Sequence, residues 1–373
     1  MRIAGIMSGT SLDGIDVAIV DIGPGVRTVA FHTTPYPARV RDALLAASNA
    51  NTHTRDIARL HFLLGELYAR AVRETCRRRR VPLRSVELIG CHGQTVYHEG
   101  TPAPVLGLRI ASTLQIGEPS IISERLGIPV VADFRPRDIA AGGAGAPLVP
   151  FVDYLLFRHP RRGRIALNIG GIANITAIPP AARPEDVIAF DTGPGNMVID
   201  ALVAGLTGGR RRLDRNGRIA ASGRIDRALL AGLLRDPYYR RRPPKSAGRE
   251  QFGAEFVARL KSTGLPGPDL VATATALTAS TIADGILRFV PFRPDELIVS
   301  GGGVHNPVLM GEIAALLPGI AVTSSSAYGV DADAKEAIAF AVLARETWLR
   351  RPSNLPSATG ARHPAVLGKI VPN

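Results

Sequence analysis

One carboxylate of the sequence stands where α/β proteins place catalytic groups. Asp191 ends an apolar run, residues 187–190, and precedes the turn Thr-Gly-Pro-Gly-Asn at 192–196. The apolar run predicts a short strand, and α/β folds carry catalytic groups at the carboxyl ends of strands. A carboxylate there can act as a general base, although an aspartate in a turn can equally serve as a cap.

Three glycine-containing turns, each directly after an apolar strand, are candidate nucleotide cradles. They lie at residues 9–16 (GTSLDGID), 168–174 (NIGGIAN) and 300–306 (SGGGVHN). Successive amides of such turns can bind phosphate oxygens, and glycine allows a ligand to approach the backbone closely. Asp13 and Asp16 can hold Mg²⁺ directly or through water. Each turn alone is also typical of an ordinary hairpin or connection, and no P-loop or dinucleotide fingerprint fits.

A further polar turn, Cys-His-Gly-Gln-Thr at 91–95, follows the apolar run 86–91. His92 and Gln94 can donate hydrogen bonds to sugar hydroxyls or carboxylates, whereas a lone histidine more often has a structural role. His92 and His98 have no third ligand nearby, so a zinc site is not expected.

The elements around these turns predict two similar α/β halves. A strand–turn–strand hairpin opens each half, at residues 2–21 and 165–178, and further strands and helices follow both. Apolar residues at helical spacing predict a long helix over 54–80, and the last long helix is expected over 334–349. This repetition indicates a duplicated fold with a ligand cleft between its halves.

The boundary between the halves is expected at the Gly/Ala/Pro-rich segment 138–150. We therefore expect an N-terminal α/β domain of residues 1–135 plus about 350–373, and a C-terminal α/β domain of residues 136–349.

Composition excludes several classes of protein. The chain has 373 residues, of which 46% are hydrophobic, so it can build two cores and is not globally disordered. No apolar stretch is expected to span a membrane, and the best candidate, 337–344, indicates a buried helix segment. The first ten residues predict a strand instead of a signal peptide, so a cytoplasmic location is expected.

The formal net charge of +13 comes mostly from arginine, with clusters at 77–80, 210–212 and 240–242. Aromatic residues are only 5% of the chain and do not alternate with the basic ones. Stacking on bases would need such aromatic residues, so the pattern favours solvated loops and helix ends, and no nucleic-acid partner is expected.

Ten segments in order, spread over nearly the whole chain, resemble one known family. They are MSGTSLDGID (7–16), CHGQT (91–95), LQIGEPS (114–120), GIPVVADFRPRDIAAGG (127–143), APLVP (146–150), LNIGGIANIT (167–176), FDTGPGNM (190–197), PPKSAGRE (243–250), VSGGGVHNP (299–307) and LPSATGA (355–361). Together they resemble the anhydro-N-acetylmuramic acid kinases of bacterial cell-wall recycling, part of the actin-like superfamily that includes sugar and acetate kinases.

The resemblance implies two duplicated actin-like (ribonuclease H-like) α/β domains flanking an active-site cleft. It also implies a homodimer that uses ATP with Mg²⁺ to convert 1,6-anhydro-N-acetylmuramic acid to N-acetylmuramic acid 6-phosphate. Asp191 matches the catalytic base of the family, and the metal ligands stay unknown.

The resemblance also implies binding residues. The stretch that matches the ATP-binding segment comprises Gly9, Thr10, Ser11, Leu12, Asp13, Gly14, Ile15 and Asp16. Gly170 and Gly171 match a second phosphate hairpin, and the adenosine contact matches Gly301, Gly302 and Gly303. Residues expected near the sugar are His92, Gln94, Gln115 and Glu118. The chain departs from the family at Ala247, where threonine is usual, and in the arginine-rich region 207–216, and neither departure is expected to touch the chemistry.

Two other functions stay open at this point. The chain can be a kinase of the same superfamily for another amino sugar, because fold analogy does not identify the sugar. It can also be a catalytically silent ATP-binding regulator, although intact Asp191 and an intact 9–16 turn argue against silence.

Overall fold

A computed structural model describes residues 1–9, 12 and 14–373, and this chain divides into two compact units. Unit 1 comprises Met1–Leu156 and Gly329–Asn373, and unit 2 comprises Phe157–Tyr328. The sequence analysis expects these two boundaries near residues 135 and 349. In the structure the chain enters unit 2 after Leu156 and returns to unit 1 at Gly329. Asp153 and Lys335, which lie on opposite sides of unit 2 in the sequence, form a buried ion pair of 2.8 Å. Both residues belong to unit 1.

Unit 1 is built on a seven-stranded sheet. Its strands are β1 Arg2–Ser8, β2 Gly14–Ile22, β3 Val26–Pro35, β4 Leu88–Val105, β5 Leu108–Ile116, β6 Val130–Ala132 and, near the C-terminus, β12 Lys369–Val371. Their order is β12-β6-β4-β1-β2-β3, and β5 is added by pairing with β4. β2 is antiparallel to both β1 and β3, whereas β4 runs parallel to β1 and β6 parallel to β4. The helices are α1 Ala38–Ala47, α2 Thr54–Arg78, α3 Pro119–Leu126, α4 Phe134–Ala140, α5 Val149–Phe157, α14 Lys335–Trp348 and α15 Pro356–Thr359.

Unit 2 repeats the central five strands of unit 1. Its strands are β7 Arg164–Ile169, β8 Ile172–Ile178, β9 Ile188–Pro194, β10 Glu296–Ser300 and β11 Ala321–Ser324. The sheet has the order β11-β10-β7-β8-β9, with an antiparallel β7-β8-β9 meander and β10 and β11 added in parallel. The helices are α6 Asn196–Leu206, α7 Arg218–Ser222, α8 Arg227–Leu233, α9 Pro237–Arg240, α10 Arg249–Phe252, α11 Ala254–Lys261, α12 Gly267–Phe289 and α13 Pro307–Leu316. The expected duplicated α/β fold is confirmed.

Glycine brings helix α14 directly onto the sheet of unit 1. A Cβ at Gly5 of β1 would lie 1.8 Å from the carbonyl oxygen of Ala337, and one at Gly90 of β4 would lie 2.1 Å from that of Phe340. Neither position can therefore carry a side chain while α14 packs on these two strands. The helix is buried along most of its length, and for this reason it belongs with the first sheet.

One helix corrects the expectation that no stretch is apolar enough to cross a membrane. α12 is 23 residues long, and an 18-residue window within it has a mean hydropathy of 1.5. However, 83% of that window is buried inside the protein. Burial against α6, α13 and β9 accounts for its apolar composition.

The largest difference from the predicted elements is the hairpin of β4 and β5. The sequence predicts a strand only over 86–91, whereas β4 continues to Val105 and returns through β5. Gly100, Pro102 and Pro104 interrupt the pattern. The register shift between Glu99 and Ala103 takes up Gly100 and Pro102 as a bulge, whereas Pro104 pairs with Arg109.

Candidate active site

Asp191 lies in β9 at an irregularity of the second sheet, where the register with β8 shifts between Ala173 and Asn174. Three neighbours hold it. The backbone N–H of Asp191 donates to the carbonyl oxygen of Lys245 (3.1 Å), and the carbonyl oxygen of Asp191 accepts from the Tyr238 hydroxyl (2.7 Å). The N–H of Ala247 donates to Oδ2 (2.9 Å). The other carboxylate oxygen, Oδ1, has no hydrogen-bond partner within the described part of the chain, and the residue is half-buried.

The segment 243–250 therefore touches the candidate base. Position 247, where this chain departs from the family by carrying alanine, contacts Asp191 directly. The contact is made by the backbone N–H, which alanine and threonine share. The departure leaves this hydrogen bond intact.

The electrostatic surroundings of Asp191 suit a base that works near neutral pH. Burial raises its pKa to about 6. The hydrogen bond from Ala247 lowers the pKa, the charge of Glu250 raises it and that of Lys245 lowers it. A base with a pKa just below the working pH is ionised and still accepts a proton readily.

Lys245 is a residue of this site that sequence reasoning missed. Its Nζ lies 4.7 Å from the ring centre of Phe289, 4.8 Å from that of Tyr238 and 5.6 Å from that of Phe190. The side chain is buried, and burial lowers the pKa of the ammonium group to about 8. Lys245 lies in the segment PPKSAGRE, which contributes to the family resemblance and was the one available signal. The three aromatic rings come from positions far apart in the sequence, so their convergence on Lys245 could not be predicted.

The pH dependence of turnover follows from these two groups. We expect kcat/KM for the sugar to be nearly constant above pH 7 and to fall about tenfold per pH unit below pH 6, because only ionised Asp191 accepts a proton. Replacing Lys245 with methionine removes a cation that stabilises the carboxylate and so raises the pKa of Asp191. In the Lys245→Met variant kcat/KM should therefore begin to fall at a higher pH than in the wild type.

Lys261→Met, which removes an exposed lysine of the same unit, is the matched control and should leave the pH at which kcat/KM begins to fall unchanged. Calorimetric titration of ATP over the same pH range separates nucleotide protonation from that of Asp191. A wild-type rate that is unchanged between pH 7 and pH 5 would contradict the assignment.

The two glycine runs of unit 2 lie against each other. A Cβ at Gly301, whose φ is +81°, would lie 2.7 Å from the carbonyl oxygen of Ile169, and one at Gly303 would lie 2.4 Å from the Ile169 side chain. These two glycines are thus required by the packing of the turns themselves.

Gly170 and Gly302 differ from the other glycines of these runs. The nearest atom to a Cβ at Gly170 would be 3.7 Å away, and a Cβ at Gly302 would meet only Asn196 Nδ2, at 3.6 Å. The carbonyl oxygens of Gly170 and Gly171 accept the N–H groups of Asn196 (2.8 Å) and Gly195 (2.9 Å), which ties this turn to the start of α6. The structure thus leaves open backbone at the predicted cradle, and this geometry fits the approach of a nucleotide.

The third predicted cradle, residues 9–16, lies in unit 1. Thr10, Ser11 and Asp13 fall outside the described residues, so their predicted contacts stay predictions. The Leu12 N–H donates to the Gly9 carbonyl oxygen (3.2 Å).

The described side chains of this turn are mostly committed to the fold. Leu12 and Ile15 are buried in the core of unit 1, so any nucleotide contact they make is through the backbone. A Cβ at Gly14 would meet the Thr34 carbonyl oxygen at 2.7 Å. Asp16 Oδ1 accepts a hydrogen bond from the Thr33 hydroxyl (2.6 Å).

Three of the four predicted sugar residues line one cavity of unit 1. His92, Gln115 and Glu118 surround a space of about 220 Å³ together with His61 and Asp133. Small-molecule sites usually measure ~300–1,000 Å³, so this cavity can take only part of an amino sugar. Gln94 does not line it, because its side chain is hydrogen-bonded to the Ser8 hydroxyl.

His92 and Glu118 have little free hydrogen-bonding capacity. His92 Nδ1 bonds to the Gly93 carbonyl oxygen (2.8 Å), and Nε2 accepts from the guanidinium of Arg135 (2.9 and 3.1 Å). Burial, reinforced by the charge of Arg135, keeps the pKa of His92 well below its usual value, so the ring is neutral. Glu118 accepts from the Ser120 N–H and caps α3, and His61 occupies its other oxygen.

Metal ligands remain unassigned. Among the residues that the structure describes, no group of three or more His, Cys, Asp or Glu side chains is placed to hold a metal ion.

A family model described as anhydro-N-acetylmuramic acid kinase matches residues 1–373. The chain is similar to a protein of that name from Salinibacter ruber, at 47% identity over 99% of this chain and 95% of the relative. Relatives of the same name from Caldanaerobacter subterraneus subsp. tengcongensis and Bacillus cereus strain Q1 are each 44% identical over 99% of this chain, covering 96% and 99% of their own lengths. Since both the whole-chain match and these identities extend from end to end, the chain belongs to the anhydro-N-acetylmuramic acid kinase family.

Proposed function

We propose that this chain is an ATP-dependent kinase that opens the 1,6-anhydro ring of 1,6-anhydro-N-acetylmuramic acid with water and phosphorylates O6. The products are N-acetylmuramic acid 6-phosphate and ADP, and the reaction belongs to peptidoglycan recycling. Membership of the family supports the assignment of 1,6-anhydro-N-acetylmuramic acid as the substrate. The observation that carries the chemistry is Asp191, a half-buried carboxylate with a pKa of about 6, one oxygen held by a backbone N–H and the other free within the described residues.

The substrate decides what this base must do. In an ordinary sugar kinase the base removes a proton from the attacking hydroxyl. Here O6 is part of the bridge and carries no proton, so the base must activate a water molecule instead. Asp191 takes a proton from water as the water oxygen bonds to C1. The C1–O6 bond breaks, O6 bonds to the γ-phosphorus, and the bond from that phosphorus to the ADP oxygen breaks.

The glycine turns are assigned to the nucleotide. Gly170, Gly171 and Gly301–Gly303 would offer backbone amides to the phosphates and adenosine. Residues 9–16 are assigned to the nucleotide on the family match alone. Phosphoryl transfer is catalysed mainly by such positioning and charge stabilisation. Mg²⁺ enters with ATP as part of the substrate and offsets the phosphate charge. His92, Gln115 and Glu118 are assigned to the sugar side, where the bonds already made by His92 and Glu118 make them positioning groups. Gln94, which was also expected there, is assigned to holding the Ser8 hydroxyl.

We further propose that the enzyme is a cytoplasmic homodimer without a nucleic-acid or membrane partner. The arginine cluster at 77–80 supports this view of the charge, because Arg77 and Arg78 both pair with Glu74 on the same helix. Charges paired in this way are less available to phosphates.

A coupled assay of ADP release tests the proposal. The enzyme with ATP should release ADP with 1,6-anhydro-N-acetylmuramic acid and not above background with N-acetylglucosamine. Turnover of N-acetylglucosamine in preference would assign the chain to another amino sugar. ATP binding with no ADP release on either sugar would favour the silent regulator.

A further inference from the structure

The hairpin of β4 and β5 presents an apolar face to solvent. In the register of this antiparallel pair, Tyr97 lies opposite Leu114, Ala103 opposite Ile110, and Val105 opposite Leu108. Directly opposed residues point to the same face of a hairpin. Tyr97, Val105, Leu108, Ile110, Leu114 and the turn residue Leu106 are all exposed. We call these six side chains the hairpin face.

The opposite face of the hairpin is polar and satisfied within the chain. His98 Nδ1 is hydrogen-bonded to the Thr113 hydroxyl (3.0 Å), and the Gln115 amide donates to the same hydroxyl (2.7 Å). An antiparallel pair with one solvated face normally keeps its apolar residues on the covered side. In this hairpin the exposed side is apolar, so the pattern is that of a covered surface.

The hairpin face continues a face that is buried nearer the centre of unit 1. Ile116 is two residues beyond Leu114 on β5 and therefore points the same way. It is fully packed in the core that also contains Leu64 and Tyr68 of α2. Helix α2 thus covers the inner end of this face and leaves the outer end uncovered. Its His61 accepts the N–H of Gly117 just beyond β5, and the next two residues of the helix, Phe62 and Leu63, are exposed.

The area involved is that of a stable interface. At roughly 150–200 Å² for a fully exposed large apolar side chain, the hairpin face with Phe62 and Leu63 offers about 700–900 Å². Monomeric proteins rarely expose more than a few hundred Å² of contiguous apolar surface. Each partner of a standard protein interface contributes about 800 Å².

We propose that the hairpin face is the surface through which two copies of this chain associate. A two-fold interface brings the same patch of both copies together, so each hairpin covers the apolar face of the other. Within the described part of the chain β5 pairs only with β4, so its other edge is available to the same neighbour. This inference rests on the proposed function only in that the occupant is a second copy, and it is independent of the phosphoryl-transfer chemistry.

Sedimentation equilibrium or light scattering on the full chain tests it. The wild type should have twice the 39.5 kDa of one chain, and Leu108→Glu should halve that mass. Leu108 is 66% exposed, so the substitution does not disturb the core of unit 1. The matched control is Leu287→Glu on α12, at a leucine that is 68% exposed, and this variant should stay dimeric.

A dimeric Leu108→Glu, or a monomeric Leu287→Glu, would overturn the assignment of the surface. A monomeric wild type would overturn self-association, and its binding to phosphatidylglycerol vesicles, lost in Leu108→Glu, would assign the face to lipid. If Leu108→Glu lowers the melting temperature strongly, Leu106→Asp decides instead, because Leu106 is fully exposed and its φ of +47° suits aspartate. ADP release by the wild type is measured separately, so failure of the kinase proposal would leave the mass unchanged.

Discussion

Asp191→Asn is expected to lower kcat at least ~100-fold, the usual loss when a general base is removed, while the Kd for ATP stays unchanged. The amide is the same size as the carboxylate, and its oxygen can still accept the N–H of Ala247. It cannot take a proton from water at neutral pH. The loss should therefore appear in the chemical step, measured as single-turnover ADP formation with saturating sugar.

The control for this variant is Asp186→Asn, which removes an aspartate at the surface of the same unit, where it pairs with Arg183. Its kcat should stay within about twofold of the wild type, because exposed ion pairs contribute little. An Asp191→Asn enzyme that retains more than half of the wild-type rate would remove Asp191 from the role of base.

Gly302→Val should weaken nucleotide binding at least ~10-fold, about 1.4 kcal/mol, with little change in sugar binding. A Cβ at position 302 would meet only Asn196 Nδ2 among the described residues, at 3.6 Å, and the backbone of Gly302 is not left-handed, so the fold accommodates a branched side chain there. What the side chain blocks is the open space beside the backbone. Isothermal titration with each ligand separately measures the two affinities.

Two further glycine variants frame this result. Gly232→Val on α8 places the same side chain where nothing lies within 4 Å, and it should leave both affinities unchanged. Gly303→Val drives a side chain into Ile169 and should lower the melting temperature along with all binding. A Gly302→Val variant with wild-type affinity for ATP would mean that the 301–303 turn is purely structural.

The central strands of both units could be predicted from sequence because each is a continuous apolar run next to a Gly-rich turn. The hairpins that became β1–β2 and β7–β8, and helix α2, are confirmed. The outer hairpin of β4 and β5 could not be predicted, because its glycine and prolines interrupt the alternation that marks a strand. The placement of α14 in unit 1 depends on contacts between segments nearly two hundred residues apart, such as Asp153 with Lys335.

The site shows the same limit. Asp191 could be found because it follows an apolar run and precedes a glycine-rich stretch, and that pattern is local, although β9 continues through Asp191 to Pro194 instead of ending before it. Its surroundings could not, because Lys245 and Ala247 reach it from a separate loop. Likewise, the sequence suggested His92 as a donor to the sugar, whereas Arg135 and the Gly93 carbonyl occupy both of its ring nitrogens. Such pairings depend on three-dimensional neighbours that spacing alone does not reveal.

The most direct test of the proposed reaction is the fate of the water oxygen. Turnover in ¹⁸O-labelled water, quenched early because a reducing sugar slowly exchanges its anomeric oxygen, should place one label on the new C1 hydroxyl of the sugar phosphate. The transferred phosphoryl group should carry none, because its ester oxygen is O6 of the sugar. Mass spectrometry of the product and its fragments locates the label. Label in the phosphate ester, or an unlabelled C1 hydroxyl at early times, would contradict attack of water at C1 and the role of Asp191 with it.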